Sequence, residues 1–181
     1  MSVIRSDLNE PEIKVAFCGC MGSGKTYASN LLQIKTSARI MSIAQPIKDI
    51  VSVMNLKAPG RGEHIMVGTV GRSLDNRVWI DQLVERAQGD VIVDDVRFEN
   101  EARILKENNF TIIFLDVPWY IRFQRVMERS EDLRDHIQYF GDATESAPER
   151  IDKRYFDYIC KTEADVERVI EEITSSDVSP K

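Results

Sequence analysis

Residues 19–26, GCMGSGKT, constrain the fold of this chain more than any other stretch. Gly19, four residues, then Gly24, Lys25 and Thr26 match G-x-x-x-x-G-K-[ST], the phosphate-binding P-loop. Glycines let the backbone curl until successive N–H groups face inward onto phosphate oxygens, and Gly22 and Ser23 lie inside that curl. Lys25 is placed to reach β- and γ-phosphates, and the Thr26 hydroxyl to ligate Mg²⁺. The following helix would turn the positive end of its dipole toward the anion. The motif needs a buried strand before it and a helix after it. EIKVAF reads as such a strand, and Ala28, Leu31 and Leu32 then recur at helical spacing. A plain glycine turn with a surface lysine would not need that context.

The rest of the chain continues the alternation. Strand-like apolar runs fall at residues 13–18, 39–43, 91–95, 110–115 and 156–160. Helical patterns lie between them: Val78, Trp79, Leu83 and Val84 share one face, as do Val166, Val169, Ile170 and Ile173. This predicts one α/β domain spanning residues 1–181, with about five parallel strands flanked by helices in three layers. Ligands in such folds sit at the carboxyl ends of the strands. Two stretches break the pattern. Residues 55–74 are glycine-rich without a clear strand, and an acceptor-side insertion is expected at about 55–75. Residues 130–149 are polar and irregular, as expected of a lid. Residues 175–181 read as a frayed tail.

Charge narrows the partners. With 24 basic and 30 acidic residues the net charge is −6, which argues against a nucleic-acid polymer as partner. A mononucleotide needs only a local positive pocket. No run of 18 apolar residues exists and the N-terminus is polar, so neither membrane span nor signal peptide is expected, and the cytoplasm is the expected location. A homodimer is compatible with the sequence but not fixed by it. Cys18, Cys20 and Cys160 are too few for a disulfide framework, and no second pair completes a zinc site. Cys18 reads as core filler and Cys20, inside the loop, as exposed.

Two further clusters carry charge. VIVDDVRFENE ends an apolar strand on Asp94 and Asp95. A P-loop protein needs a strand-end carboxylate near its Mg²⁺. Asp94, standing first, is assigned to the metal and Asp95 to orienting the acceptor; the alternative is that both cap the next helix. After Pro118, Trp119, Phe123 and Val126 share one helix side, with Arg122, Arg125 and Arg129 on another and Arg134 beyond. Arginine forks stabilise charge spread over a transferring phosphoryl group. Arg125 and Arg129 are the catalytic candidates and Arg122 an ATP contact; a solvated face offset by Glu128, Glu131 and Asp132 is the plainer reading.

The order of the P-loop, SIAQPIKDI, VGTVGRSLDNRVWID, VDDVRFENEA and FDYICKTEADVERVI resembles phage-type deoxynucleoside monophosphate kinases, relatives of adenylate kinase in the P-loop kinase fold. The resemblance runs from residue 13 to about 171, and its G-T-x-G-R…W and D-V-R-F-x-N-E-A segments are the selective ones. It implies ATP with Mg²⁺ as donor, a deoxynucleoside 5′-monophosphate as acceptor, and, for a phage-encoded chain, the host cytoplasm. It also implies that Lys48 approaches the acceptor side and Arg72 grips its phosphate. Trp79 would pack beside the base or in the core. Arg97, Asn100 and Glu101 would line the site beside Asp94 and Asp95. Two segments depart from the family. TESAPERID stands where His-x-Ser-Glu is usual, and Val70 where an acidic residue is common. Phosphomevalonate and dephospho-coenzyme A kinases share the P-loop and the A-x-P-[IL]-K feature, so another small acceptor stays open. A nucleotide-dependent switch is the remaining alternative, although the base-reading N-K-x-D of a GTPase is absent.

Overall fold

The computed structural model describes residues 12–57, 60–129, 140 and 143–175. Five parallel strands form one sheet: β1 (Lys14–Cys18), β2 (Arg39–Met41), β3 (Val91–Val96), β4 (Thr111–Leu115) and β5 (Tyr158–Cys160), in the order β2-β3-β1-β4-β5. In register, Ala16 faces Val93 on one side and Ile112 on the other. The three inner strands are nearly all apolar because both of their faces are covered. Successive side chains alternate between those faces.

Ala16, Cys18, Val93 and Ile112 point to one layer, where α4 (Val78–Arg86) and α5 (Glu99–Glu107) bring Ile80, Leu83, Ala102 and Leu105. Val15, Phe17, Ile92 and Ile113 point to the other, against Ala28 and Leu32 of α1 (Lys25–Thr36) and Val166, Val169 and Ile170 of α8 (Glu163–Thr174). Thr162 starts α8 with a reciprocal cap: its hydroxyl accepts from the Asp165 N–H, and the Asp165 carboxylate accepts from the Thr162 N–H. The remaining helices are α2 (Gln45–Val53), α3 (Arg61–Leu74), α6 (Trp119–Arg129) and the one-turn α7 (Ala143–Ser146), with 3₁₀ turns at Ala147–Arg150 and Lys153–Tyr155. Among the described residues no helix is long and apolar enough to cross a membrane.

The three-layer reading holds, with strand ends displaced by one or two residues. Residues 61–74 correct it. They were expected to be irregular and instead form the 14-residue α3. Glycine disfavours a helix by about 1 kcal/mol each, yet here the glycines are where neighbours approach. A β-carbon on Gly71 would lie 2.1 Å from the Trp79 ring, and one on Gly68 3.1 Å from Ile47 Cδ1. Tertiary packing overrides local propensity. In the expected lid, residues 130–139 and 141–142 lie outside the described residues, as does the tail beyond Ser175.

Candidate active site

The P-loop joins β1 to α1 at the carboxyl edge of the sheet. Gly22 and Gly24 have φ of 78° and 96°, and a β-carbon on Gly22 would fall 2.5 Å from the Arg122 carbonyl oxygen. Glycine is required there by both conformation and space. Lys25 curls back so that Nζ donates to the carbonyls of Gly19 (2.5 Å) and Cys20 (3.0 Å). Burial, and then the charge of Arg97, hold its ammonium below the ordinary lysine value. The Ser23 hydroxyl is buried with no hydrogen-bond partner among the described residues. No side chain of the described residues caps the start of α1, and its first turn carries no acid. An orphaned hydroxyl, uncapped amides and a loop that lacks β-carbons at Gly19, Gly22 and Gly24 form a cradle that fits a polyphosphate. Thr26 lies at the surface beside it. Cys20 corrects the reading made from sequence: it is buried, and burial pushes its thiol up to about 11.

The two aspartates divide. Asp95 accepts from the Ser42 hydroxyl (2.6 Å) and from the N–H groups of Ile43 (2.8 Å) and Ala44 (3.0 Å). It therefore ties the β2–α2 connection to β3. Among the described residues Asp94 accepts only from its own backbone; burial, then Asp95 beside it, push its carboxyl above the usual range, and Lys48 and Lys25 oppose that. Capping of the helix after Arg97 falls instead to Glu101, whose Oε2 accepts from the N–H groups of Arg97 (2.8 Å) and Phe98 (3.0 Å). Burial raises the Glu101 carboxyl to about 7 despite those bonds.

Next to Asp94 opens a cavity of about 300 Å³. Its cationic lining is Lys48, Arg61, Arg72 and Arg97, with His64 alongside. Its carboxylates are Asp94, Asp95, Glu101 and Glu145, and its walls are Ile43, Ile47, Trp79 and Phe98. Arg72 stacks on the Phe98 ring at 4.6 Å from its centre. The Trp79 indole donates to the Gly68 carbonyl at 3.1 Å, so Trp79 both holds α3 and faces the cavity. Arg61 and Arg97 both donate to Oε1 of Glu145, which is 4% exposed. A second cavity of about 170 Å³ lies across the P-loop, lined by Ser23, Gly24, Leu115, Val117, Arg125, Thr162 and Val166 among others.

Of the residues expected at the acceptor side, Lys48, Arg72, Trp79, Asp95, Arg97 and Glu101 share the first cavity. Asn100 does not; its amide donates to the Asn76 carbonyl at 2.6 Å and pins the α3–α4 turn. The arginines of α6 do not act as one face. Arg122 is buried with Val126, donates to the Val117 carbonyl (2.9 Å) and pairs with Glu149 (2.7 Å). Arg125 turns toward the second cavity and pairs with Glu163 at 2.8 Å. Trp119 is 65% exposed, whereas Val126 is buried. The side chain of Arg129 and all of Arg134 lie outside the described residues. Arg61, His64, Phe98 and Glu145 went unread; Arg61 and Glu145 are 84 positions apart, and no spacing rule joins them.

A family model described as "AAA domain" matches residues 15–150, from the first strand to the turn after α7. The chain belongs to this AAA-domain family. Its P-loop, both aspartates and all residues named in the first cavity fall inside the matched span. Among solved structures, a shikimate kinase from Acinetobacter baumannii in complex with shikimate is 14% identical, with 92% of this chain and 96% of that one covered and a TM-score of 0.59. A gluconokinase from Sinorhizobium meliloti 1021 is 12% identical over 92% and 98%, TM-score 0.54. A tunicamycin resistance protein from Deinococcus radiodurans is 15% identical over 91% and 95%, TM-score 0.56. At such identities these likenesses show a shared P-loop kinase fold. No curated protein sequence matches.

Proposed function

We propose that this AAA-domain chain is an ATP-dependent phosphotransferase whose acceptor, a deoxynucleoside 5′-monophosphate, binds in the larger cavity and leaves as the diphosphate. The observation that carries the reading is the gathering of Lys48, Arg61, Arg72 and Arg97 around a cavity that opens beside Asp94 and the P-loop lysine. Such a density of cations suits a phosphate, while Trp79 and Phe98 offer flat apolar surface for a base.

A phosphate acceptor is already an anion at neutral pH, so the chain's work is alignment, charge neutralisation and exclusion of water. The P-loop amides and Ser23 would hold the donor phosphates. Lys25, released from the loop carbonyls, would follow the migrating group. Arg72 and Arg97 would hold the acceptor, and Asp95 keeps the β2–α2 wall in place. Thr26 and Asp94 would hold Mg²⁺, which when bound neutralises phosphate charge; no group of three or more His, Cys, Asp or Glu side chains that could hold a metal exists among the described residues, and an ion held mainly by phosphates needs none. The smaller cavity, apolar at Leu115, Val117 and Val166 and flanked by Arg125, would take the base of ATP.

One observation favours a second reading. Among the described residues Asp94 keeps a carboxylate without a hydrogen-bond donor outside its own backbone, with its proton affinity raised. That is the state of a general base, which a hydroxyl acceptor needs and a phosphate acceptor does not. The test is release of ADP from ATP with a panel of acceptors: the common deoxynucleoside and ribonucleoside monophosphates, phosphomevalonate, dephospho-coenzyme A, gluconate and shikimate. Turnover with deoxynucleoside monophosphates is expected. Turnover confined to hydroxyl acceptors would establish the second reading. ATP binding without transfer to any acceptor would point to a nucleotide-dependent switch.

A further inference from the structure

Glu145 is a buried carboxylate on the lining of the first cavity, among its arginines. It comes from α7, on the stretch between α6 and β5, while the arginines that hold it come from α3 and from the end of β3. Both guanidinium groups converge on the same oxygen, Oε1. Arg97 and Glu145 also lie close enough to Lys25 to act on its charge. A carboxylate oxygen held by two arginines beside the P-loop lysine has the chemistry of an anionic oxygen about to meet the donor phosphate. Four residues on, the more exposed Glu149 meets the loop itself: it pairs with Arg122 at 2.7 Å and accepts from the Cys20 thiol at 3.5 Å.

We infer that Glu145 is an internal stand-in for the acceptor's anion: it occupies the fork of Arg61 and Arg97, and a phosphate monoester binds that fork by displacing it. Glu145 is buried while the side chains of Arg61 and Arg97 stay 29% and 32% exposed, and two guanidinium groups that converge on one point favour an anion between them that neutralises their charge. An internal carboxylate does this when the acceptor is absent and keeps α7 seated on the cavity. An arriving phosphate neutralises both arginines equally well and releases Glu145 to solvent. Exchange of one anion for another costs less than opening a charged cavity outright. It also sets a threshold: a neutral compound, or one with a weakly acidic group in the wrong place, cannot take over the fork. Arg61 and Glu145 thus act on which acceptors enter, separately from the groups that act on ATP. The identity of the arriving ester rests on the kinase reading; the exchange itself does not.

Inorganic phosphate tests the exchange without catalysis. Its binding to the full chain is measured by titration calorimetry for the unaltered protein, Glu145→Gln and Glu145→Gln with Arg61→Gln. Glu145→Gln should bind phosphate about tenfold more tightly, as expected for a fork held roughly nine-tenths of the time by its own carboxylate. The double variant should lose that gain. A folded Glu145→Gln protein that binds phosphate no better than the unaltered chain overturns the inference, and so does a gain that survives loss of Arg61. If Glu145→Gln unfolds, millimolar phosphate should restore its circular dichroism, since the ion takes the carboxylate's place; no rescue also overturns it. A wrong acceptor class would show in the acceptor panel and leave these phosphate results untouched.

Discussion

Trp79 lies against Gly71 so closely that a β-carbon added there would sit 2.1 Å from indole Cζ2 and 2.6 Å from Cε2. The same indole is hydrogen-bonded to the Gly68 carbonyl, so one tryptophan of α4 fixes two glycines of α3. The spacing of Gly68, Gly71, Arg72 and Trp79 is thereby explained: the glycines make room, and Arg72 is set over Phe98 at the cavity wall.

Gly71→Ala should therefore destabilise the chain. Helix propensity would gain about 1 kcal/mol, but overpacking of this kind costs about 1–3 kcal/mol or more, and a clash with a rigid ring lies at the upper end. The melting temperature should fall by roughly 5 °C, and the acceptor KM should rise more than the ATP KM, because α3 carries Arg61, His64 and Arg72 into the cavity. An unchanged melting temperature would mean that α3 is free to shift away from Trp79.

Lys25→Ala should lower kcat by roughly a hundredfold or more, a usual scale for losing one group that stabilises transition-state charge. The fold should survive: the lysine gives up hydrogen bonds to the carbonyls of the buried Gly19 and Cys20, but a charge that burial disfavours leaves with it. Turnover of the folded variant close to that of the unaltered protein would remove the P-loop from the chemistry.

The sheet was legible because its signal is local. An inner parallel strand buried on both faces is a short apolar run, and VAFC, VIV and TIIFL are such runs. The P-loop was legible for the same reason. Helix α3 was not, because Gly62, Gly68 and Gly71 speak for a turn and the reasons they do not make one, Trp79 and Ile47, sit elsewhere in the chain. The pair Asp94 and Asp95 could be found in sequence, but not divided: only the fold shows Ser42, Ile43 and Ala44 converging on the second. Arg122 and Arg125 were read as one face from their spacing. Three positions along a helix are enough to send them to different partners, Glu149 and Glu163.

Glu101 predicts a pH dependence of stability. Its carboxyl is raised from 4.5 to about 7 in the folded chain, chiefly by burial. A carboxyl raised on folding binds more protons folded than unfolded between those values. Its contribution is therefore complete below about pH 4.5 and is lost as pH rises through about 7. Glu101→Gln keeps an oxygen for the Arg97 and Phe98 N–H groups but cannot ionise. In urea unfolding at about pH 5 and about pH 8, the unaltered chain should lose more stability with rising pH than the variant does. Parallel behaviour of the two would place the titrating group elsewhere.

Asp94 and Asp95 should fail differently when neutralised. Asp95 accepts three hydrogen bonds that join β2–α2 to β3, so Asp95→Asn must offer an amide where a carboxylate stood. One oxygen can still accept, but the other position becomes a donor facing an N–H or hydroxyl. A cost of about 2 kcal/mol is expected, seen in thermal or urea unfolding, with the acceptor KM rising as Ile43, Ala44 and Lys48 lose their support. Asp94 holds no such network, and its burial beside Asp95 is a strain that neutralisation relieves. Asp94→Asn should therefore unfold at the same temperature or higher. If Asp94 serves the metal, the variant should need much more Mg²⁺ for half-maximal rate. If it serves as base for a hydroxyl acceptor, kcat should fall by about 10²–10⁴ at every Mg²⁺ concentration. A Mg²⁺ titration of Asp94→Asn with the acceptor that turns over thus decides between the two roles, and a variant normal in both respects would leave Asp94 with neither.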